Sequence, residues 1–563
     1  MRTGAEGLES NRGGGGMLRK SGIFLILYLL VAGIGGAEAG ARGADSLVKI
    51  DSGPISGAEL GEDRGVRVYK GVPFAAPPVG NLRWKPPQPV KAWTGVRECT
   101  AFGAACPQID LLERLYGQKL GPTSEDCLYL NVWTPSKKSS DRLPVMVWIH
   151  GGSYTMGSGA TAAYDGEALA RQGVIVVTIN YRLGPFGFFA HPELSKESSH
   201  GSSGNYGLLD QIASLQWVRR NIASFGGDPG RVTVFGESAG AGSICYLMSS
   251  PLARGLFHRA IAQSGSAFGQ NRHLRETWYG LEPMEKVGER VAAQLGCDKE
   301  KDVLSALRAK SSDELLKGSN LASSFIFSDG NRFSPIVDGW VIPDDPGAIF
   351  LAGKQNRVPL ISGTNADEGT IFMLAIQFKE TKEYNDVVGG LYAEYADDVL
   401  ALYPVSSPSE IKGMLNRVVT DSAFVNGARF SVRAMSRVNP NTYLYHFTHV
   451  VQAARFAGLG AFHASEIPFV FKTLNTARTQ VTDVERALAD KMSAYWVRFA
   501  TTGDPGGEGP AAWPRYTTER DQHMEFGDTV SVKSGLRKSG ADLFERIASA
   551  RRAKRKERSE SAR

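Results

Sequence analysis

Val232-Thr-Val-Phe-Gly-Glu-Ser-Ala-Gly-Ala-Gly-Ser243 decides how this chain is read. Val232 to Phe235 is a short β-branched and apolar run, which predicts a buried strand. The turn Gly236-Glu-Ser-Ala-Gly240 follows, then an apolar helical segment to about Met248. Strand, Gly-x-Ser-x-Gly turn and helix together make a nucleophile elbow, in which the sharp turn lifts the Ser238 hydroxyl out of the sheet. Gly236 and Gly240 leave room where strand and helix pass closely. The helix aims its first N–H groups at the place where negative charge would develop. A Gly-rich chain also meets this pentapeptide by chance, as an ordinary turn. The flanking strand and helix favour the catalytic reading, and the residues around it strengthen it.

Upstream, Pro144 to Ile149 is an apolar strand that runs straight into His150-Gly-Gly-Ser-Tyr154. Small adjacent residues there let backbone N–H groups face a cavity, the second half of an oxyanion hole beside the N–H of Ala239. Gly173 to Asn180 is a second β-branched strand. Asn205 to Phe225 carries Leu208, Ile212, Leu215, Val218 and Ile222 at helical steps. Strand, helix and elbow strand form a βαβ unit and hence a parallel sheet. Further strands are expected near Val66–Tyr69, Lys91–Trp93, Leu128–Trp133, Leu256–Gly265, Arg357–Gly363 and Asn441–His449. Helices are expected over Pro283–Lys317, over about 375–437 as a cap broken at Pro404 and Pro408, and over Val484–Thr501.

A serine hydroxyl needs a base, and the base needs an acid to orient it. With the chain order serine, acid, histidine, four histidines lie late enough: His446, His449, His463 and His523. His446 and His449 fall in a strand and His523 in a polar stretch, whereas His463 sits in the Gly-rich loop Gly458–Pro468 that reaches over the sheet edge. For the acid, Asp367 and Glu368 directly follow the strand ending at Gly363, with Asp338 as competitor; spacing does not separate Asp367 from Glu368.

The chain has 563 residues, 42% hydrophobic and 22% charged, enough for one large α/β body. Arg19 and Lys20, the apolar run Ile23–Ala32 and Ala37-Glu-Ala39 predict a signal peptide over residues 1–39, with Met17 as an alternative start. The competing reading is an uncleaved anchor. The formal net charge is +6, but Arg551–Arg563 holds seven Lys/Arg and two Glu, a net +5, so the body is near neutral. That basic tail, 546–563, is expected to be a solvated, disordered end, and no nucleic-acid motif accompanies it. No Cys-x-x-Cys or His-Glu-x-x-His pattern occurs, so neither a metal nor another cofactor is expected. The compact leader and the lack of Asn-x-Ser/Thr sequons point to a periplasmic or secreted protein.

From about Val48 to Tyr516 the chain resembles the type-B carboxylesterase (cholinesterase-like) family of α/β-hydrolases. The resemblance is carried by Tyr69-Lys-Gly-Val-Pro-Phe-Ala75, Ser124-Glu-Asp-Cys-Leu-Tyr-Leu-Asn-Val132, Asn180-Tyr-Arg-Leu-Gly-Pro-Phe-Gly187, Gly226-Gly-Asp-Pro-Gly-Arg-Val-Thr233 and the elbow itself. It implies a mostly parallel twisted sheet flanked by helices, forming a single catalytic domain over 40–545. It implies a triad of Ser238, Glu368 and His463, with oxyanion donors on Gly152, Ser153 and Ala239. It implies a Cys106–Cys127 disulfide, which for a loop of that size would add about 3 kcal/mol, and ion pairs Arg83–Glu125 and Arg182–Asp210. Ser153 replaces the third glycine of the usual oxyanion run, so bulky tertiary-alcohol esters should be poorly accepted. The Cys106–Cys127 loop has no Trp to stack a choline group, and Ala306 stands where a partner for Cys297 would lie. The expected activity is hydrolysis of a small carboxylic ester through an acyl-enzyme. Cleavage of amides, carbamates or thioesters, or a cholinesterase-like binding module that keeps its triad, are the alternatives.

Overall fold

The computed structural model describes residues 46–109, 120–321, 331–374, 376–476, 480–506 and 512–561. The expected signal peptide lies outside them, as does part of the Cys106–Cys127 loop. Eleven strands form the main sheet: β1 (Ala58–Leu60), β2 (Val66–Pro73), β3 (Tyr129–Thr134), β4 (Leu143–Ile149), β5 (Ile175–Ile179), β6 (Gly227–Glu237), β7 (Arg259–Gln263), β8 (Leu360–Asn365), β9 (Thr442–Phe447), β10 (Gln522–Phe526) and β11 (Val530–Ser534). Their spatial order is β11-β10-β9-β8-β7-β6-β4-β5-β3-β2-β1. The middle, from β10 to β5, is parallel, and antiparallel strands close both edges. The expected edge piece Lys91–Trp93 is coil instead, and Arg97–Glu98 forms one strand of a small three-stranded side sheet.

Period-two alternation assigns each central strand to two cores. Val145, Val147 and Ile149 of β4, with Val232 and Val234 of β6, face one core; Met146, Trp148 and Phe235 face the other. Helices α1 (Tyr206–Asn221) and α2 (Ala239–Ser249) cover the first face. The cap follows as α3 (Thr381–Tyr392), α4 (Ala396–Leu402), α5 (Ile411–Val419), a π-helical turn (Thr420–Val425) and α6 (Asn426–Ser436), with a cluster of its own that includes Tyr384, Tyr403 and Leu415. Helix α7 (Asp483–Thr502), opened by a Thr482/Glu485 capping box, covers the second face through Trp496 and Phe499.

Two further expectations differ from the structure. The tail is not a loose end: residues 538–561 form one helix, α8 (Lys538–Ser561). Its Leu543, Phe544 and Ile547 enter the cap cluster, and its basic side chains find aromatic and acidic partners, such as Arg555 over the Trp278 ring at 4.1 Å. The expected disulfide is not seen: in this structure Cys106 and Cys127 are both free, buried thiols. A hydrogen bond to Cys106, reinforced by burial, pushes the Cys127 thiol well above its ordinary range, and Cys106 Sγ accepts from Leu183 N–H at 3.2 Å. The two expected ion pairs are present. Arg83 meets Glu125 through Nε and a terminal nitrogen (2.7 and 2.5 Å), and Arg182 meets Asp210 the same way (2.8 and 2.7 Å) in a fully buried setting.

Candidate active site

Strand β6 ends at Glu237 and α2 starts at Ala239, so Ser238 alone makes the turn. Its backbone sits at φ 56°, ψ −119°, a conformation that costs on the order of 1–3 kcal/mol for a residue with a side chain. Register holds it there: Glu237 pairs with Gln263 of β7, and Ser238 N–H donates to Gln263 O at 2.9 Å. The flanking glycines are required by contact. A Cβ at Gly236 would lie 2.5 Å from Ile149 O, and one at Gly240 would strike the same carbonyl.

The loop after β4 packs against this turn, since a Cβ at Gly151 would come within 3.0 Å of Ser238 Cβ. Gly152 (φ 104°) and Ser153 (φ 54°) both take left-handed backbone. Among the described residues, neither of their N–H groups donates a hydrogen bond. His150 braces the loop: its ring stacks on Tyr181 at 4.5 Å, and Tyr181 O–H donates to His150 O at 2.9 Å. Burial pulls the His150 imidazole down to about 4, so it stays neutral.

Beyond β8, Glu368 is fully buried. Its Oε1 accepts from Thr364 Oγ1 and from Asn365 N–H, both at 2.7 Å, and its Oε2 lies 2.6 Å from His463 Nδ1. The neighbouring Asp367 is used otherwise, accepting from Asn416 Nδ2 and Ala461 N–H at 3.0 Å each. Asp338 accepts from Ser202 Oγ and from the turn N–H of Ile342. Of the remaining histidines, His446 lies 3.2 Å from Thr364 O, His449 is 2.7 Å from Asp528, and His523 packs near His446. Geometry thus brings Glu368 to His463 and leaves the competitors elsewhere.

It does not bring His463 to Ser238 directly. No hydrogen bond joins Ser238 Oγ to the imidazole among the described residues; His463 Nε2 instead lies 3.1 Å from Oε1 of Glu237, the residue before the serine. A third buried carboxylate, Glu466, accepts from Gln263 Nε2 (3.0 Å) and Asn365 Nδ2 (2.7 Å). Burial works against the charged imidazole, but the charges of Glu237 and Glu368, with Glu466 behind them, outweigh it and hold His463 up at about 9. Burial pushes the Glu237 carboxyl up to about 8, opposed by His463 and assisted by Glu466 and Glu368. Sequence reasoning missed Glu237, Glu466, Gln263 and Asn365. Glu237 was in plain view inside the elbow motif, yet nothing in the spacing says that it would face His463 Nε2. Among the described residues, no group of His, Cys, Asp and Glu is arranged to hold a metal ion, and no helix is long and apolar enough to cross a membrane.

A parallel sheet with antiparallel edges, a strained serine at a strand-to-helix turn and an acid-bearing loop two strands away is the α/β-hydrolase architecture. Residues 44–544 match the carboxylesterase family, and the chain belongs to it. It is 40% identical over 493 residues to fumonisin B1 esterase of Sphingopyxis macrogoltabida, covering 85% of this chain and 87% of that one. It is 36% identical over 488 residues to para-nitrobenzyl esterase of Bacillus subtilis (strain 168), covering 84% and 93%. A solved PNB esterase superimposes with a TM-score of 0.76 at 33% identity, covering 89% of this chain and all of that one. The protein is a carboxylic ester hydrolase.

Proposed function

We propose that the protein is an exported serine esterase that works through an acyl-enzyme on Ser238. His463, turned from Glu237 toward Ser238 Oγ when substrate arrives, takes the hydroxyl proton as the oxygen attacks the ester carbonyl. Glu368 keeps Nδ1 protonated and stabilises the imidazolium. The tetrahedral oxyanion rests on the N–H groups of Gly152, Ser153 and Ala239, where each donor is worth about 10²–10³ in rate. His463 then protonates the leaving alcohol, and a water repeats the cycle on the acyl group.

The observation that carries this reading is the 2.6 Å contact between His463 Nδ1 and a fully buried Glu368, on the loops beside a strained serine. The substrate class follows the relatives, whose names specify a fumonisin ester and p-nitrobenzyl esters. We take it to be small to medium carboxylic esters of varied alcohols, met in the periplasm or outside the cell. The test is release of p-nitrophenol from p-nitrophenyl acetate and longer acyl esters by wild type and Ser238→Ala. Loss of at least about 10³-fold in the variant is expected; hydrolysis persisting in purified, folded Ser238→Ala would end the assignment.

A further inference from the structure

The cap helix from Ile411 to Ser436 is interrupted by the π-helical turn Thr420–Val425. A π turn inserts one residue, which rotates the side chains on either side of it by about 100° relative to a continuous α-helix. Such turns are rare and cluster at functional sites. This one carries Phe424 onto His463, with ring centroids 4.8 Å apart. Phe372, four residues after Glu368, approaches the same imidazole at 5.4 Å, and the two phenyl rings lie nearly parallel to each other at 6.2 Å. The base is therefore gripped by one ring from the acid's loop and one from the cap.

The turn is fixed at its first two residues. At its start, Thr420 Oγ1 donates to Asn416 Oδ1 (3.2 Å), which also accepts from Gly369 N–H (2.9 Å), while Asn416 Nδ2 donates to Asp367 (3.0 Å). Asn416 thus ties the turn to the residues on either side of Glu368. One residue on, the buried Asp421 carboxylate accepts from Tyr403 O–H at 2.6 Å and pairs with Arg537 at the entrance to α8. Helix α8 presses closely here: a Cβ at Gly540 would strike both Tyr403 Oη and Asp421 Oδ2. A buried charge is tolerated only when paired, so the Asp421 contacts lock the turn rather than decorate it.

We propose that the π turn Thr420–Val425 is the positioning element of the base, with Phe424 as the positioning residue that keeps the His463 ring in register with Glu368 and Asp421 as the anchor that ties the turn to α8. This rests on the assignment of His463 as the base. A ring free to tilt loses the alignment that proton transfer needs, and small misplacements of a catalytic group cost up to about 10²-fold. The charged groups facing the imidazole are Glu368, Glu237 and Glu466. Water admitted beside His463 would screen these and relieve its burial, bringing its titration back toward the ordinary 6.5 or so.

The experiment is steady-state hydrolysis of p-nitrophenyl acetate by the full chain across pH, for wild type, Ser238→Ala, Phe424→Ala, Phe424→Leu, Phe424→Tyr and Asp421→Asn, with melting curves for each. Phe424→Ala should lose about 10–10² in kcat with KM within about threefold, and its acid limb should move to lower pH. Phe424→Leu, which keeps the packing volume, should lose roughly tenfold, Asp421→Asn several-fold, and Phe424→Tyr should restore the wild-type profile. Folded Phe424→Leu with wild-type kcat and an unmoved acid limb would overturn the proposal while an inactive Ser238→Ala leaves the triad standing. An active Ser238→Ala would instead overturn the triad and the proposal with it.

Discussion

His463 lies between two carboxylates, and in the proposed mechanism the charge of Glu237 at Nε2 raises the pH at which the imidazole becomes free to act as a base. The imidazole must be neutral to accept the serine proton, so activity is lost as pH falls through the His463 value, held near 9 in the resting site. Removing the Glu237 charge lowers that value, so Glu237→Gln should move the acid limb of kcat/KM to lower pH by on the order of one unit. An unmoved limb in a pH–rate series would mean that Glu237 does not face the working imidazole. At Ser153 the backbone is left-handed at φ 54° and the side chain is exposed. Glycine takes that conformation without strain, so Ser153→Gly should stabilise by about 1 kcal/mol. The same change opens the oxyanion loop and should raise turnover of tert-butyl esters relative to ethyl esters. Equal ratios in both enzymes would show that Ser153 does not limit the alcohol.

At the scale of elements, the elbow depends on how closely α2 passes β4. Gly240→Ala would push a methyl group into Ile149 O, and overpacking of this kind costs about 1–3 kcal/mol. Here it also tilts the helix that carries the Ala239 donor. Denaturant melts should show that loss together with a fall in kcat of roughly 10²; a stable, fully active variant would mean that the crossing is looser than it stands. These features were legible in the sequence because local rules govern them: β-branched runs for β4, β5 and β6, three- and four-residue steps for α1, a Gly-flanked turn for Ser238. The acid was not. Asp367 and Glu368 are adjacent after one strand, and only the fold shows that Asp367 is spent on Asn416 and Ala461 while Glu368 turns to His463. Lys91–Trp93 stays coil: Trp93 N–H reaches Ser52 O at 2.9 Å, a single backbone bond rather than a ladder.

For the molecule as a whole, the basic tail shows what composition alone conceals. A run of Lys and Arg reads as solvated, yet α8 lays Arg552 on Phe430 (5.1 Å), pairs Lys554 with Glu394 (2.9 Å) and stacks Arg555 on Trp278. Aromatic and acidic partners more than a hundred residues away make the difference. Truncation after Ala550 should therefore cost about 1–3 kcal/mol of stability, seen as a lower Tm; an unchanged Tm would return the tail to the status of a loose end. Acid should act at β9 and β10. Burial holds His446 down at about 3 and His523 at about 4, each neutral in the folded chain. The unfolded chain takes up those protons from about pH 6.5 downward, so the stability they contribute is present above pH 6.5 and lost as pH falls through the folded values. His446→Gln should make the decline of Tm between pH 6.5 and 4 shallower, and an equally steep decline would place the acid sensitivity elsewhere. We propose that a single hydroxyl of the chain, that of Ser238, is the nucleophile. Treatment of the full-length protein with a fluorophosphonate, followed by intact mass and peptide mapping, tests it most directly. A single adduct is expected, on Ser238, absent from Ser238→Ala and strongly slowed in His463→Ala; no adduct on the folded protein, or an adduct on another residue, would rule out Ser238 as the nucleophile.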